Sequence, residues 1–96
     1  MKIPKTLKIG NLTYKIEYIE DKFEEPDFYG RGWMKEQRIK LNPNLKQELL
    51  EQTFIHEIMH QILDAGSYDE ESKNEKLVET LTNGIYQVFK ENNLLK

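Results

Sequence analysis

The hydrophobic pattern of this 96-residue chain changes period at Asn42-Pro43-Asn44, and that change limits what each half can become. Before it, Leu7, Ile9, Leu12, Tyr14, Ile16 and Tyr18 alternate with polar residues, broken only at Gly10-Asn11. Alternation places one apolar face on a strand, and a glycine-asparagine break between two such runs predicts a hairpin. Lys8, Lys15 and Glu17 take its wetter face. After the break, apolar residues recur every three or four positions, the spacing of helices packed on one side. Strands followed by helices predict an α+β fold in which a small, largely antiparallel sheet of three or four strands packs on two main helices.

The sheet is expected over about residues 6–41, within one domain spanning 1–96. Residues 20–27 form a charged loop closed by Pro26, and 28–34 a strand with uneven side-chain cover because of Gly30 and Gly32. Those glycines serve a turn or bulge, or let an extended peptide approach the sheet. Phe28, Tyr29 and Trp33 line a cleft or cover the sheet; Lys35-Glu36-Gln37 turns into a short return strand, Arg38 to Leu41. The first helix is expected over about 45–65, capped by Asn44 with Gln47 and stopped by Gly66 as C′ residue. Around Ile55, Ile58, Met59, Ile62 and Leu63 it reads as buried nearly all round. The second helix, about 73–91, starts from a Ser72-Glu75 capping box. Its apolar side carries Leu77, Val78, Leu81, Ile85, Val88 and Phe89, with Gly84 permitting close packing.

Composition narrows the function classes. There is no cysteine, so disulfides, thiolate metal sites and thiol catalysis are excluded. Net charge is −3 and arginine occurs only as Arg31 and Arg38, which disfavours nucleic-acid binding. No signal peptide or membrane span is expected, consistent with a cytoplasmic protein.

His56-Glu57-Ile58-Met59-His60 carries the chemistry. Histidines four apart on a helix lie one turn apart on one face, so both imidazoles can reach one ion. Glu57 points about 100° from His56 but about 60° from His60, leaning over the open side of a zinc site instead of ligating it. It can then take a proton from a zinc-bound water whose pKa the metal has lowered, and deliver it to the leaving amine. The same spacing also arises from core histidines, yet an unliganded pair in so apolar a helix is costly.

A catalytic zinc takes three protein ligands, and with only two histidines an acidic residue must complete the set. Asp64 lies on the same straight helix and diverges from one ion; Asp69, Glu70 and Glu71 fall in or near a loop; Glu75 has the capping role. Glu79, flanked by Leu77, Val78, Leu81 and Thr82, is the expected third ligand, since an unpaired carboxylate there would be expensive. Asn83, one turn on, offers an acceptor for a ligand imidazole, with ordinary helix-contact polarity as the alternative and Asp64 as its rival for His60. Tyr86 and Tyr68 are the available oxyanion donors.

His56-Glu57-x-x-His60 followed by Glu79 and Asn83 resembles the gluzincin metallopeptidases, and most of all small proteins of the ImmA/IrrE type and their phage-encoded relatives. Ile39-x-Leu41-Asn42 before the histidine helix and the run Glu79-Thr80-Leu81-Thr82-Asn83 extend the similarity over roughly residues 28–90. The resemblance implies a minimal zincin core, zinc held by His56, His60 and Glu79, Glu57 as general base and a protein or peptide substrate beside the sheet edge. It also implies a phage or prophage setting with a repressor as target. The rival expectation is a zinc-stabilised binding or structural protein without turnover.

Overall fold

The computed structural model describes residues 1–19 and 29–94. The expected charged loop at 20–27, Phe28 and the last two residues lie outside them. The fold is α+β: a four-stranded mixed, mostly antiparallel sheet packs against two main helices. Strands β1 (Thr6–Ile9), β2 (Leu12–Tyr18), β3 (Gly30–Trp33) and β4 (Arg38–Leu41) stand in the order β1-β2-β4-β3. The β1–β2 hairpin forms as the alternation requires, with Ile9 opposite Leu12 and Gly10 at φ 60°. A positive φ is inexpensive for a residue without a Cβ, so glycine suits this turn. β3 and β4 form a second antiparallel hairpin in which Gln37, not a glycine, holds the left-handed position at φ 54°. β2 and β4 run parallel, a pairing between distant segments that local periodicity does not reveal.

Helix α1 (Gln47–Ala65) lies on one face of the sheet, followed by a single short turn of helix, α2 (Asp69–Lys73), and then α3 (Glu75–Glu91). Ile9, Tyr14, Ile16, Ile39 and Leu41 from the strands close on Phe54 of α1 to make the core. Several end signals act differently from expectation. Asn44 does not cap α1, whose N-cap is Lys46 without a side-chain bond; the Asn44 N–H instead donates to the Asn42 side chain at 2.9 Å. At the other end Ser67, not Gly66, takes the left-handed C′ position at φ 64°. The Tyr68 N–H then reaches the Leu63 carbonyl at 2.8 Å and the Ser67 N–H the Asp64 carbonyl at 3.1 Å, closing a Schellman motif one residue later. Asn74, not Ser72, caps α3 by accepting from the Leu77 N–H at 3.1 Å.

Burial also differs from the helical patterns. On α1 the buried residues are Glu51, Thr53, Phe54, Glu57 and Gln61, while Ile62 is half exposed. The helix touches the sheet on one side and α3 on another, and the rest meets solvent. On α3, Val78, Thr82 and Tyr86 face inward, whereas Leu77, Leu81, Val88 and Phe89 are exposed. A Cβ added at Gly84 would meet nothing within 4 Å, so no close contact depends on that glycine. The β3 glycines are the ones that matter for packing. A Cβ on Gly30 would sit 2.8 Å from Thr53, and one on Gly32 2.6 Å from Gln61. Neither serves a turn; both let the strand lie against α1, which draws the strand backbone up to the histidine helix.

Candidate metal centre

Within α1 the helical repeat stacks His56 and His60, with their rings edge to face at 4.8 Å between centroids. Their Nε2 atoms are 3.1 Å apart. The break between α2 and α3 swings the start of α3 back over this pair. Glu75, in the first turn of α3, sets Oε2 3.1 Å from His56 Nε2 and Oε1 3.1 Å from His60 Nε2. His56, His60 and Glu75 are thus a group able to hold a metal ion. Donors about 2.0–2.1 Å from a tetrahedral ion sit roughly 3.3–3.4 Å from one another, so these spacings are close to those of a bound cation. Two neutral imidazoles can each offer only one lone pair, and both lone pairs at Nε2 here converge with a carboxylate.

The carboxylate that meets the two histidines is Glu75, whereas the sequence points to Glu79 as third ligand. Two premises behind the Glu79 choice fail. Glu75 is not occupied in capping, since Asn74 does that work. Glu79 is not embedded among its apolar neighbours; it is exposed and lines a cleft beside His56 instead. Asn74 was the signal available in the sequence: as good a cap as serine, two residues on from Ser72, it releases both Ser72 and Glu75 for other roles.

Ser72 uses that release. It is buried, and its hydroxyl lies 3.1 Å from Nδ1 of His60. An Nδ1–H donated to this oxygen fixes the tautomer that leaves Nε2 free as a ligand. Of the two residues expected to support a histidine, Asn83 lines a cleft with Glu79 and Thr82, and Asp64 lines another with His60 and Glu75. The candidate oxyanion donors lie elsewhere. The Tyr86 hydroxyl donates to Glu51 at 2.6 Å, and Tyr68 is an exposed residue packed beside Gly66.

Glu57 is buried between α1 and β3. Burial pushes its carboxyl from 4.5 up to about 8; the charge of Glu75 adds to the rise, while a hydrogen bond from the Gly32 backbone and the charge of Arg31 oppose it. That backbone bond exists because Gly32 lets the strand approach. Gln61, one turn beyond, accepts at 2.9 Å from the buried Tyr14 hydroxyl and anchors the same stretch of helix to β2.

Two open clefts meet here. One, of about 380 Å³, runs between β3, α1 and α3 past Leu49, Thr53, Glu79 and Thr82. The other, of about 450 Å³, holds His60, Asp64 and Glu75. Both are bordered by Gly30, Arg31, His56 and Glu57, so the buried carboxyl and one imidazole stand where the clefts join. No described helix is long and apolar enough to cross a membrane. Compared with protein-family models, with curated proteins and with solved structures, the chain has no match.

Proposed function

We propose that the chain is a zinc-dependent peptidase that hydrolyses peptide bonds in a protein substrate, with Glu57 as general base. The observation that carries this reading is the convergence of His56, His60 and Glu75 beside a buried Glu57 at the junction of two clefts. Two imidazoles and one carboxylate suit zinc, with a position left for a fourth donor. Bound there, zinc would supply Lewis acidity, a water of lowered pKa and a positive charge beside Glu57. Ser72 keeps the His60 ring turned towards the centre. Glu57, fixed by the Gly32 N–H, removes a proton from the attacking water and returns it to the departing amine nitrogen. β3 stands at the edge of the sheet next to this carboxyl, where an extended polypeptide can add as a further strand.

The test is hydrolysis of a diverse peptide library by zinc-loaded protein. Cleavage is expected, with Glu57→Gln lowering kcat by a factor of about 10³ or more while zinc content stays unchanged. A library left intact by the zinc-loaded protein contradicts the enzymatic reading.

One observation favours a second reading, a zinc-stabilised protein without turnover. α3 buries only Val78, Thr82 and Tyr86, so an ion joining Glu75 to the α1 histidines would itself hold the helix in place.

A further inference from the structure

The cleft of about 380 Å³ beside His56 is built from one face of each main helix and the strand β3. On α1, Leu49, Gln52 and His56 recur at helical spacing and form one wall; on α3, Glu79, Thr82 and Asn83 form the other. Two of these side chains lack partners. Thr82 is 1% exposed, and its hydroxyl makes no hydrogen bond among the described residues. Two residues earlier, Thr80 turns its hydroxyl onto the Lys76 carbonyl at 2.7 Å, a bond that a helical threonine can make to its own backbone. Thr82 does not make it, and a buried hydroxyl left unmet is costly. Glu79 is exposed, and no lysine or arginine among the described residues pairs with it. Arg31, the one lysine or arginine among the described lining residues, borders the other cleft as well and so stands at the end where the two join.

We propose that this cleft is the subsite for a basic side chain, lysine or arginine, on the residue next to the scissile bond; that this residue belongs to a substrate rests on the peptidase reading above. A polypeptide lying beside β3 at His56 and Glu57 can send one side chain between α1 and α3. The aliphatic stem of that side chain lies along Leu49, which is 37% exposed. Its charged head carries only donors, and the cleft offers acceptors in the Glu79 carboxylate and the Thr82 hydroxyl. Other side chains fit less well. An acidic one would meet Glu79 with like charge. An apolar one would leave Thr82 unmet and strip water from Glu79. A glutamine could bond to Gln52, Thr82 and Asn83 but would leave the Glu79 charge without a counterpart. The second cleft has a carboxylate of its own, Asp64, so the two can be told apart.

The probes are Nα-acetyl hydroxamates of lysine, arginine, glutamine, leucine and glutamate, which ligate zinc and set one side chain beside it. Their affinities for the zinc-loaded full chain are read by calorimetry. The lysine and arginine compounds should bind at least about tenfold more tightly than the leucine one, and that preference should shrink by about threefold or more at 500 mM NaCl. Glu79→Gln, at an exposed position, should bring the lysine compound to within about threefold of the leucine compound. Thr82→Val should weaken the lysine compound by about threefold or more, and the leucine compound by less. Asp64→Asn should keep the preference for lysine. Tightest binding of the leucine, glutamine or glutamate compound overturns the proposal, as does a preference that survives Glu79→Gln or is removed by Asp64→Asn instead. Failure of every hydroxamate to bind overturns it too. The readout needs no turnover: a basic preference beside an intact peptide library would remove the peptidase and keep the subsite, whereas cleavage without that preference would do the reverse.

Discussion

α1 meets the sheet and α3 through different materials. Towards the sheet it presents Phe54 to Ile16, Ile39 and their neighbours, an apolar contact flanked by the bonds of Gln61 with Tyr14 and of Glu57 with the Gly32 backbone. Towards α3 the contact is largely polar. Glu51 accepts from Tyr86 at 2.6 Å and from Gln47 at 2.7 Å, Thr82 is buried with no partner for its hydroxyl among the described residues, and the histidine pair faces Glu75. Burial disfavours the Glu51 charge, but the bonds from Gln47 and Tyr86 outweigh it and keep that carboxyl below its ordinary value. Apolar burial thus carries most of the contact between α1 and the sheet, while hydrogen bonds and charge carry much of that between α1 and α3. An ion held by His56, His60 and Glu75 would tie the start of α3 to α1 at that seam.

The largest expected break in this contrast comes from the apolar side. Phe54→Ala should destabilise the chain by about 3–5 kcal/mol in urea denaturation, equally with zinc and with chelator. An effect that depended on metal would mean that the two seams are not separate.

pH should act through Glu57, the titratable group buried between α1 and β3. In the metal-free protein the Glu57 value lies near 8 when folded and near 4.5 when unfolded. Between those limits the folded state binds the extra proton, so this carboxyl's contribution to stability is fully present below pH 4.5 and is lost as pH rises towards 8. The loss is on the order of a few kcal/mol, and Glu57→Gln should flatten it and raise Tm at neutral pH without zinc. If wild type and variant showed parallel pH profiles under chelation, the carboxyl would not be held as described. The smallest change concerns a glycine with no near neighbour: Gly84→Ala should stabilise α3 by about 0.5–1 kcal/mol in thermal denaturation.

What could be read in the sequence divides along the same seam. The β1–β2 hairpin, both main helices and the His56/Glu57/His60 cluster follow from periods and spacings within short stretches, where local geometry decides. The carboxylate that joins them does not, because it depends on where α3 begins, which turns on whether Ser72 or Asn74 supplies the cap. The Glu79 choice assumed that apolar neighbours in sequence are neighbours in space; on α3 Leu77 and Leu81 face solvent and Glu79 is exposed with them. The roles of Gly30 and Gly32 were also out of reach, since they depend on Thr53 and Gln61 of a helix packed against the strand. The parallel β2–β4 register was out of reach too, since no local pattern encodes a pairing between distant segments.

The central claim is that Glu75 joins the two histidines around one ion, and zinc affinity of single variants tests it most directly. Competition titration against a chromophoric chelator should show Glu75→Ala binding zinc at least about a hundredfold more weakly than wild type, with Glu79→Ala within about threefold of it. Unchanged affinity in Glu75→Ala alongside a large loss in Glu79→Ala would contradict the account.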